Sequence, residues 1–372
     1  MSGIFAVEKP PGVSSNAFKE KVQIMMEQDP VFHQKLDRDA ERKRKRRKLP
    51  KVKMGHGGTL DPAADGVLVL GVNDGTKRLG EFLGCTKTYD VIAHFGCATT
   101  TYDAEGAVLQ TAGCDGVTDE GIEKVLPLFT GEIQQIPPIY SAIKVGGTKL
   151  YEYARNLESL PRDIQPRNMT ISELTVGELI HEHEYIYPSK RASSDEILQE
   201  RVFRQAALKA LAKDGNKAAE AELESLKDKG DLATLGAEDV EFVIDSSKAP
   251  PGPEIAETDV KGPIVHIRAT VSSGTYIRSL VHDMAIAMGT NAYVVKLTRS
   301  RQGDWEIGKN VISNEDLQGD FDRWIPQAKF WMENGPEAKY DPEVAIETES
   351  AKLEVAAIEP DGEENVEDVK SS

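Results

Sequence analysis

Cysteine is scarce in this chain: Cys85, Cys97 and Cys114 are odd in number and irregularly spaced. That excludes a disulfide framework and points to a reducing compartment. No apolar run approaches the roughly 20 residues needed to cross a bilayer. The segment before Lys9 is too short for a secretory signal and lacks the Arg-rich amphipathic pattern of a transit peptide. No Gly-x-Gly-x-x-Gly opens a strand-helix unit and no Gly-x-x-x-x-Gly-Lys-Ser/Thr occurs, so no nucleotide cofactor is signalled. Positive charge is also in deficit. The formal net charge is -17, which at first argues against a nucleic-acid partner.

The distribution of charge reverses that argument. Residues 331 to 372 hold thirteen Asp/Glu against three Lys/Arg and so account for ten of the seventeen net negative charges. Between residues 38 and 53, ten of sixteen are Lys or Arg. Local fields, not the total, decide where a phosphate backbone docks. The basic stretch has almost no apolar content, and self-repulsion is expected to keep it solvated and mobile. The 372 residues are ample for one sizeable core.

Hydrophobic patterning divides the rest. Residues 4 to 8 read as a strand entering the Lys9-Pro10-Pro11-Gly12 turn, after which Ser14 or Ser15 can cap a helix with the stripe Phe18, Val22, Met25 and Met26. Residues 67 to 72 read as a buried strand, 88 to 95 as an alternating strand that Tyr89 enters pointing inward, and 171 to 179 as another. The clearest strand has Val265, Ile267, Ala269 and Val271 on one face. It runs into a helix carrying Ile277, Leu280, Val281, Met284 and Met288 and stopped by Gly289. Residues 195 to 229 form an Ala/Leu/Glu/Lys-rich helical pattern broken at Asp214-Gly215-Asn216, expected as a peripheral hairpin within an insert spanning 181 to 262.

The chain is organised around residues 55 to 70, Gly-His-Gly-Gly-Thr-Leu-Asp-Pro-Ala-Ala-Asp-Gly followed by Val67-Leu68-Val69-Leu70. The glycines permit backbone conformations closed to other residues. Pro62 disfavours the helical region for Asp61, and Ala63 and Ala64 leave nothing bulky beside its carboxylate. This loop resembles the catalytic loop of the TruB family of tRNA pseudouridine synthases. Further family signatures follow in the family's order: Lys9-Pro10-Pro11-Gly12 with Ser14-Ser15, Thr76-Lys77, Lys87-Thr88-Tyr89, residues 137 to 144 from Pro137 to Lys144, Tyr151-Glu152-Tyr153-Ala154-Arg155, residues 273 to 280 around Tyr276 and Arg278, and Leu297-Thr298-Arg299.

The resemblance implies an α+β fold: one large, mixed, mostly antiparallel bent sheet flanked by helices, with a thumb segment that closes on RNA between residues 131 and 167. The catalytic domain is expected over residues 1 to 315, with a basic insert at 33 to 53 and the helical insert at 181 to 262. Residues 316 to 372 are expected as an acidic, largely disordered tail, leaving no room for the carboxy-terminal PUA domain of many relatives. The implied activity is isomerisation of uridine-55 in the tRNA T arm by base flipping, cofactor-free.

Such chemistry needs an ionised carboxylate, to attack sugar or base or to abstract a sugar proton, and Asp61 is assigned to it with the route left open. Arg278 is its expected charge partner. The resemblance implies that Tyr89 stacks on the base and takes part in proton transfer, that Tyr276 lines the uracil pocket, and that His56 fills the space vacated by the flipped base. Lys9, Lys77, Lys87, Lys144, Arg155 and Arg299 are basic residues at motif positions, several of them expected as phosphate contacts, with Tyr151 suited to stacking. His181 and His183 share a strand face, but no third ligand accompanies them and no metal site is assigned. A guide-RNA-dependent synthase and a tRNA-binding folding helper are the competing readings. The expected protein is a monomer without guide RNA or membrane association, with residues 42 to 48 as a nuclear address. Service of cytoplasm or mitochondria is left open.

Overall fold

The computed structural model describes residues 1–158, 160, 164–228, 262–319 and 321–341. The strands among them are β1 (Gly3–Lys9), β2 (Met54–His56), β3 (Asp65–Val72), β4 (Lys87–Phe95), β5 (Cys97–Thr99), β6 (Val108–Thr111), β7 (Gly131–Gln135), β8 (Lys144–Val145), β9 (Thr148–Lys149), β10 (Arg167–Val176), β11 (Ile264–Val271), β12 (Ala292–Gln302), β13 (Trp305–Glu306) and β14 (Val311–Ile312). The α-helices are α1 (Ser15–Met26), α2 (Arg38–Arg46), α3 (Leu79–Gly84), α4 (Asp119–Val125), α5 (Leu150–Asn156), α6 (Ser194–Lys213), α7 (Lys217–Asp228), α8 (Ile277–Ala287), α9 (Asn314–Gln318) and α10 (Phe321–Asn334).

Ten strands make one sheet in the order β14-β1-β3-β12-β4-β11-β10-β7, with β2 added to β3 and β13 to β12. Only β14 on β1 and β12 on β3 are parallel. The mixed, mostly antiparallel α+β architecture implied by the sequence is the one found. Strand alternation works as read: Tyr89, Val91, Ala93 and Phe95 of β4 pack with Val265, Ile267, Ala269 and Val271 of β11 beneath α8.

The sheet carries two half-cores. One gathers β1, β3 and α1 through Phe5, Val7, Leu68, Leu70, Phe18, Val22 and Met26. The other gathers β4, β11 and α8, and it includes Leu60 and Ala64. Residues 57 to 64 cross from one to the other, so Asp61 sits in the seam. Strand β12 crosses the same seam, with Ala292 and Val294 in the second half-core and Trp305, just beyond its end, in the first.

Three segments differ from expectation. The basic insert is solvated, with no buried residue in α2, but it is helical. Asp37 caps its first turn by accepting from Ala40 N at 2.7 Å, and Glu41 pairs with Arg44 at 2.5 Å and Lys45 at 3.6 Å. Acidic residues in the first turn and basic ones in the last follow the helix dipole, which offsets part of the self-repulsion. The tail begins later than residue 315, because Trp324, Ile325, Ala328 and Trp331 of α10 are buried in the first half-core. A Cβ on Gly3 would lie 2.6 Å from Met332, a measure of how closely α10 lies on β1. The acidic segment 342 to 372 lies outside the described residues.

The third difference concerns the thumb and the helical insert. Helices α6 and α7 match the expected hairpin, and Ser193 starts α6 with a capping box to Glu196. It is no peripheral decoration. Leu198, Val202, Phe203, Leu208 and Leu211 of α6 form one apolar cluster with Ile136, Ile139, Val145, Leu150 and Ala154 of the thumb. The turn formers of residues 131 to 155 admit regular structure after all, since β7 joins the main sheet through β10 and α5 is seated on α6.

Candidate active site

The Asp61 loop is pinned along its length by main-chain hydrogen bonds from buried side chains. Gln302 Nε2 donates to Gly57 O at 2.7 Å. Arg299 donates to Gly58 O at 3.3 Å, Thr59 O at 3.4 Å and Val67 O at 2.8 Å. Ser15 Oγ both accepts from Leu60 N at 2.8 Å and donates to Leu60 O at 3.0 Å. Lys9 Nζ donates to Pro62 O at 3.2 Å, and Gly12 N to the same oxygen at 2.9 Å. Two glycines are required by geometry. Gly58 has φ +146, and Gly66 has φ +105 with a would-be Cβ only 2.3 Å from Arg299 O, where β3 and β12 run parallel.

At the loop's apex Asp61 Oδ2 accepts from Arg278 Nε at 2.8 Å. The Asp61 side chain is 38% exposed and that of Arg278 5%, so a buried cation lies behind a carboxylate that solvent can reach. Arg278 is fixed by further acceptors: Nη1 donates to Thr101 O at 2.6 Å, Nη2 to Tyr140 O at 3.2 Å, and Asp103 Oδ2 lies 3.7 Å from Nε. Burial would lower the Arg278 pKa, but Asp61 and Asp103 outweigh it and the net shift is upward. Burial raises the Asp103 pKa, against the pull of Arg278.

Tyr276 is the residue before α8 and is held by a reciprocal pair with Gln135, which accepts from Tyr276 N at 2.8 Å and donates to Tyr276 O at 3.0 Å. Burial raises the Tyr276 pKa, and the nearby Asp61 charge adds to the rise. Tyr89 is buried on β4 in the half-core that holds Leu60 and Ala64, the neighbours of Asp61 on the loop. His56 lies on β2, paired opposite Leu70. Burial lowers its pKa, and its Nδ1 is buried without a hydrogen-bond partner.

The basic residues separate into two sets. Lys9 is fully buried and spends its ammonium on the carbonyls of Pro10, Val13 and Pro62, so it is no phosphate contact. Burial lowers its pKa to about 8, although Asp65 and Asp61 pull the other way. Lys87, whose ammonium bonds the Phe82, Leu83 and Cys85 carbonyls, and Arg299 are buried in the same manner. A sequence shows that a Lys or Arg is present, not whether carbonyls converge on it. Lys77 is exposed and paired with Asp74 at 2.6 Å, and Lys144 and Arg155 are exposed on the thumb. Tyr151 is flanked by two cations: Lys149 Nζ is 5.2 Å from its ring centroid and Arg155 Cζ 5.0 Å. His183 Nε2 lies 2.9 Å from Gly262 O. No group of three or more metal-ligating side chains occurs among the described residues.

Sequence reasoning missed Thr101, Asp103, Gln135 and Gln302. No local signal marks the first two: residues 99 to 103 are three threonines, Tyr102 and Asp103, and only the structure shows that Tyr102 takes a positive φ of 59°.

Residues 46–193 match the model of the TruB family pseudouridylate synthase N-terminal domain. The chain is 37% identical to tRNA pseudouridine synthase 4 of Saccharomyces cerevisiae, over 84% of this chain and 79% of that protein. It is 36% identical to tRNA pseudouridine synthase 4 of Schizosaccharomyces pombe, over 82% and 79%. To tRNA pseudouridine synthase B of Pseudomonas fluorescens it is 31% identical, over 85% and 68%. Among solved structures, a chain of a Cbf5-Nop10-Gar1 complex aligns at 20% identity with a TM-score of 0.44, covering 90% of this chain and 56% of that one. The relatives that align over about four fifths of their own length are tRNA pseudouridine synthases, isomerases of an RNA base. The chain belongs to the TruB family of pseudouridine synthases.

Proposed function

We propose that this chain isomerises uridine-55 in the T arm of tRNA to pseudouridine, as a stand-alone monomer needing neither cofactor nor guide RNA. The observation that carries the reading is the Asp61 carboxylate, solvent-accessible yet held 2.8 Å from the buried Arg278 on a loop pinned from both half-cores. The reaction breaks the bond from ribose C1' to uracil N1 and forms one from C1' to C5, with no net oxidation and no group lost. Arg278 Nε donates to Asp61 Oδ2 and so fixes which oxygen faces the substrate. Asp61 then attacks sugar or base, or removes a sugar proton, and both routes start from the same ion pair.

The target uridine must leave its stack, at a cost of a few kcal/mol. His56, set on β2 where the loop begins, suits occupation of the vacated space, while Tyr89 and Tyr276 are proposed to bound the pocket for the base. Exposed Lys77, Lys144 and Arg155, with Tyr151 between its two cations, are the contacts proposed for the T-arm backbone. The helix α2 is proposed as a nuclear address and, second, as a sequence-independent RNA contact.

Incubating purified protein with an unmodified tRNA transcript and mapping pseudouridine tests the reading. Product at position 55 without added RNA is expected. Asp61→Asn should yield less than about a hundredth of the wild-type rate with tRNA affinity within a few-fold. Product only when a guide RNA is supplied would transfer the chain to the guide-dependent class, and binding without any product would make it a folding helper.

A further inference from the structure

The two main-chain carbonyls that fix the Arg278 guanidinium, Thr101 O and Tyr140 O, belong to segments that both rest on helix α6 of the insert. Tyr140 follows Ile139, which is buried in the apolar cluster built on Val202, Phe203 and Leu208 of α6. Thr101 precedes Tyr102, whose hydroxyl donates to Glu200 of α6. Four residues on, Arg204 of the same helix bonds Asp283 of α8 at 2.7 Å and Glu222 of α7 at 3.0 and 2.9 Å. Helix α6 thus grips the loop before Asp103, the thumb behind Tyr140, and α8, which carries Arg278.

Tyr102 is the joint of this arrangement. Its φ of 59° is unfavourable for a bulky residue and persists only where the surroundings over-determine the conformation. Three contacts do so. The hydroxyl is bound by Glu200, and the ring is stacked on His282 of α8 with centroids 4.1 Å apart and planes at 7°. The carbonyl accepts from Val294 N of β12 at 3.0 Å. His282 lies one turn after Arg278 on α8, so the ring that Tyr102 stacks on and the guanidinium that Thr101 binds are borne by the same helical face. Asp103, on the other side of Tyr102, is oriented by Thr101 Oγ1 at 2.5 Å and Glu105 N at 3.1 Å and lies 3.7 Å from Arg278.

We propose that Glu200 and Tyr102 are positioning residues for pseudouridine formation, so that the helical insert sets the geometry of the Asp61–Arg278 pair from outside the site. Neither touches the substrate in this account; Glu200 acts on Tyr102, and Tyr102 sets Thr101 O and Asp103 around the guanidinium. Displacing an acceptor of Arg278 by an ångström lets the guanidinium turn, and Asp61 loses its fixed orientation. The inference rests on the isomerase reading above.

The test is single-turnover conversion of a tRNA transcript at saturating enzyme, alongside tRNA Kd and thermal unfolding, for Glu200→Ala, Glu200→Gln and Tyr102→Phe. Glu200→Ala and Tyr102→Phe are expected to slow conversion about tenfold or more, with Kd within about twofold of wild type. Glu200→Gln keeps an acceptor oxygen and should restore at least about half the rate. Conversion at the wild-type rate in Tyr102→Phe, loss seen only as weaker tRNA binding, or Glu200→Gln as slow as Glu200→Ala would each overturn the proposal. Should Glu200→Ala fail to fold, Tyr102→Phe decides alone, since it keeps the stacking ring. A wild type without activity would overturn the isomerase reading and this inference with it, whereas variants at the wild-type rate beside an active wild type would overturn this inference alone.

Discussion

At the residue scale, the proposed chemistry turns on one guanidinium with more hydrogen-bonding partners than a point charge can meet. Arg278 meets Asp61, Thr101 O and Tyr140 O through its Nε, Nη1 and Nη2 atoms. A lysine ammonium keeps the charge but cannot span that fork. Arg278→Lys should therefore lose roughly 10- to 100-fold in single-turnover rate, the worth of one or two charge-assisted hydrogen bonds. A rate within twofold of wild type would show that charge alone suffices. Lys9 offers a pH test of its burial. Its pKa falls from 10.5 unfolded to about 8 folded, so between those values the unfolded chain binds more protons and this group's contribution to stability rises with pH. The unfolding free energy of wild type relative to Lys9→Met should accordingly climb from pH 8 to pH 10.5 in denaturant titrations. A flat difference would mean that Lys9 is not buried as an ammonium.

At the scale of elements, α2 and the thumb present the basic surface. Replacing Arg42, Lys43, Lys45 and Arg46 by Gln removes four exposed charges without breaking the cap at Asp37. The plot of log Kd for tRNA against log salt should then flatten by up to about one unit if one phosphate is touched. A fluorescent fusion should spread into the cytoplasm. Unchanged slope rejects the RNA contact, and unchanged localisation rejects the nuclear address. The thumb divides within itself: β7 is laddered to β10, whereas β8 and β9 form a two-residue pairing joined by exposed Gly146 and Gly147. Amides of residues 144 to 149 should exchange quickly in free protein and slow on adding tRNA, while β7 and β11 stay protected throughout. Equal protection with and without tRNA would indicate a preformed wall.

For the whole molecule, the two half-cores have to hold a common register for the seam to be a site. Helix α10 closes the first of them, with Trp324 fully buried and Trp331 edge-on to Trp305, their ring centroids 6.0 Å apart. Trp324→Ala should cost about 3 to 5 kcal/mol of unfolding free energy, and removal of all residues after 313 should cost at least as much. Equilibrium denaturation measures both. A truncated chain as stable as the full one would restore the boundary at residue 315 expected from composition.

The loop of Asp61, its partner Arg278, the strands β3, β4 and β11 and the helices α1, α6 and α8 were legible in the sequence because each is written locally, in side-chain period, capping residues or a contiguous motif. Tertiary structure alone decided which basic residues face solvent. Lys9, Lys87 and Arg299 read as phosphate contacts until the carbonyls that converge on them, from as far away as Pro62 and Gly58, are in place. It also decided that the insert packs on the segments that hold Arg278, through a contact between Glu200 and Tyr102 across 98 residues of sequence. A sequence records local propensity and the identity of each group, whereas the burial of a charge and the partner of a hydroxyl depend on contacts that exist only once distant strands have paired.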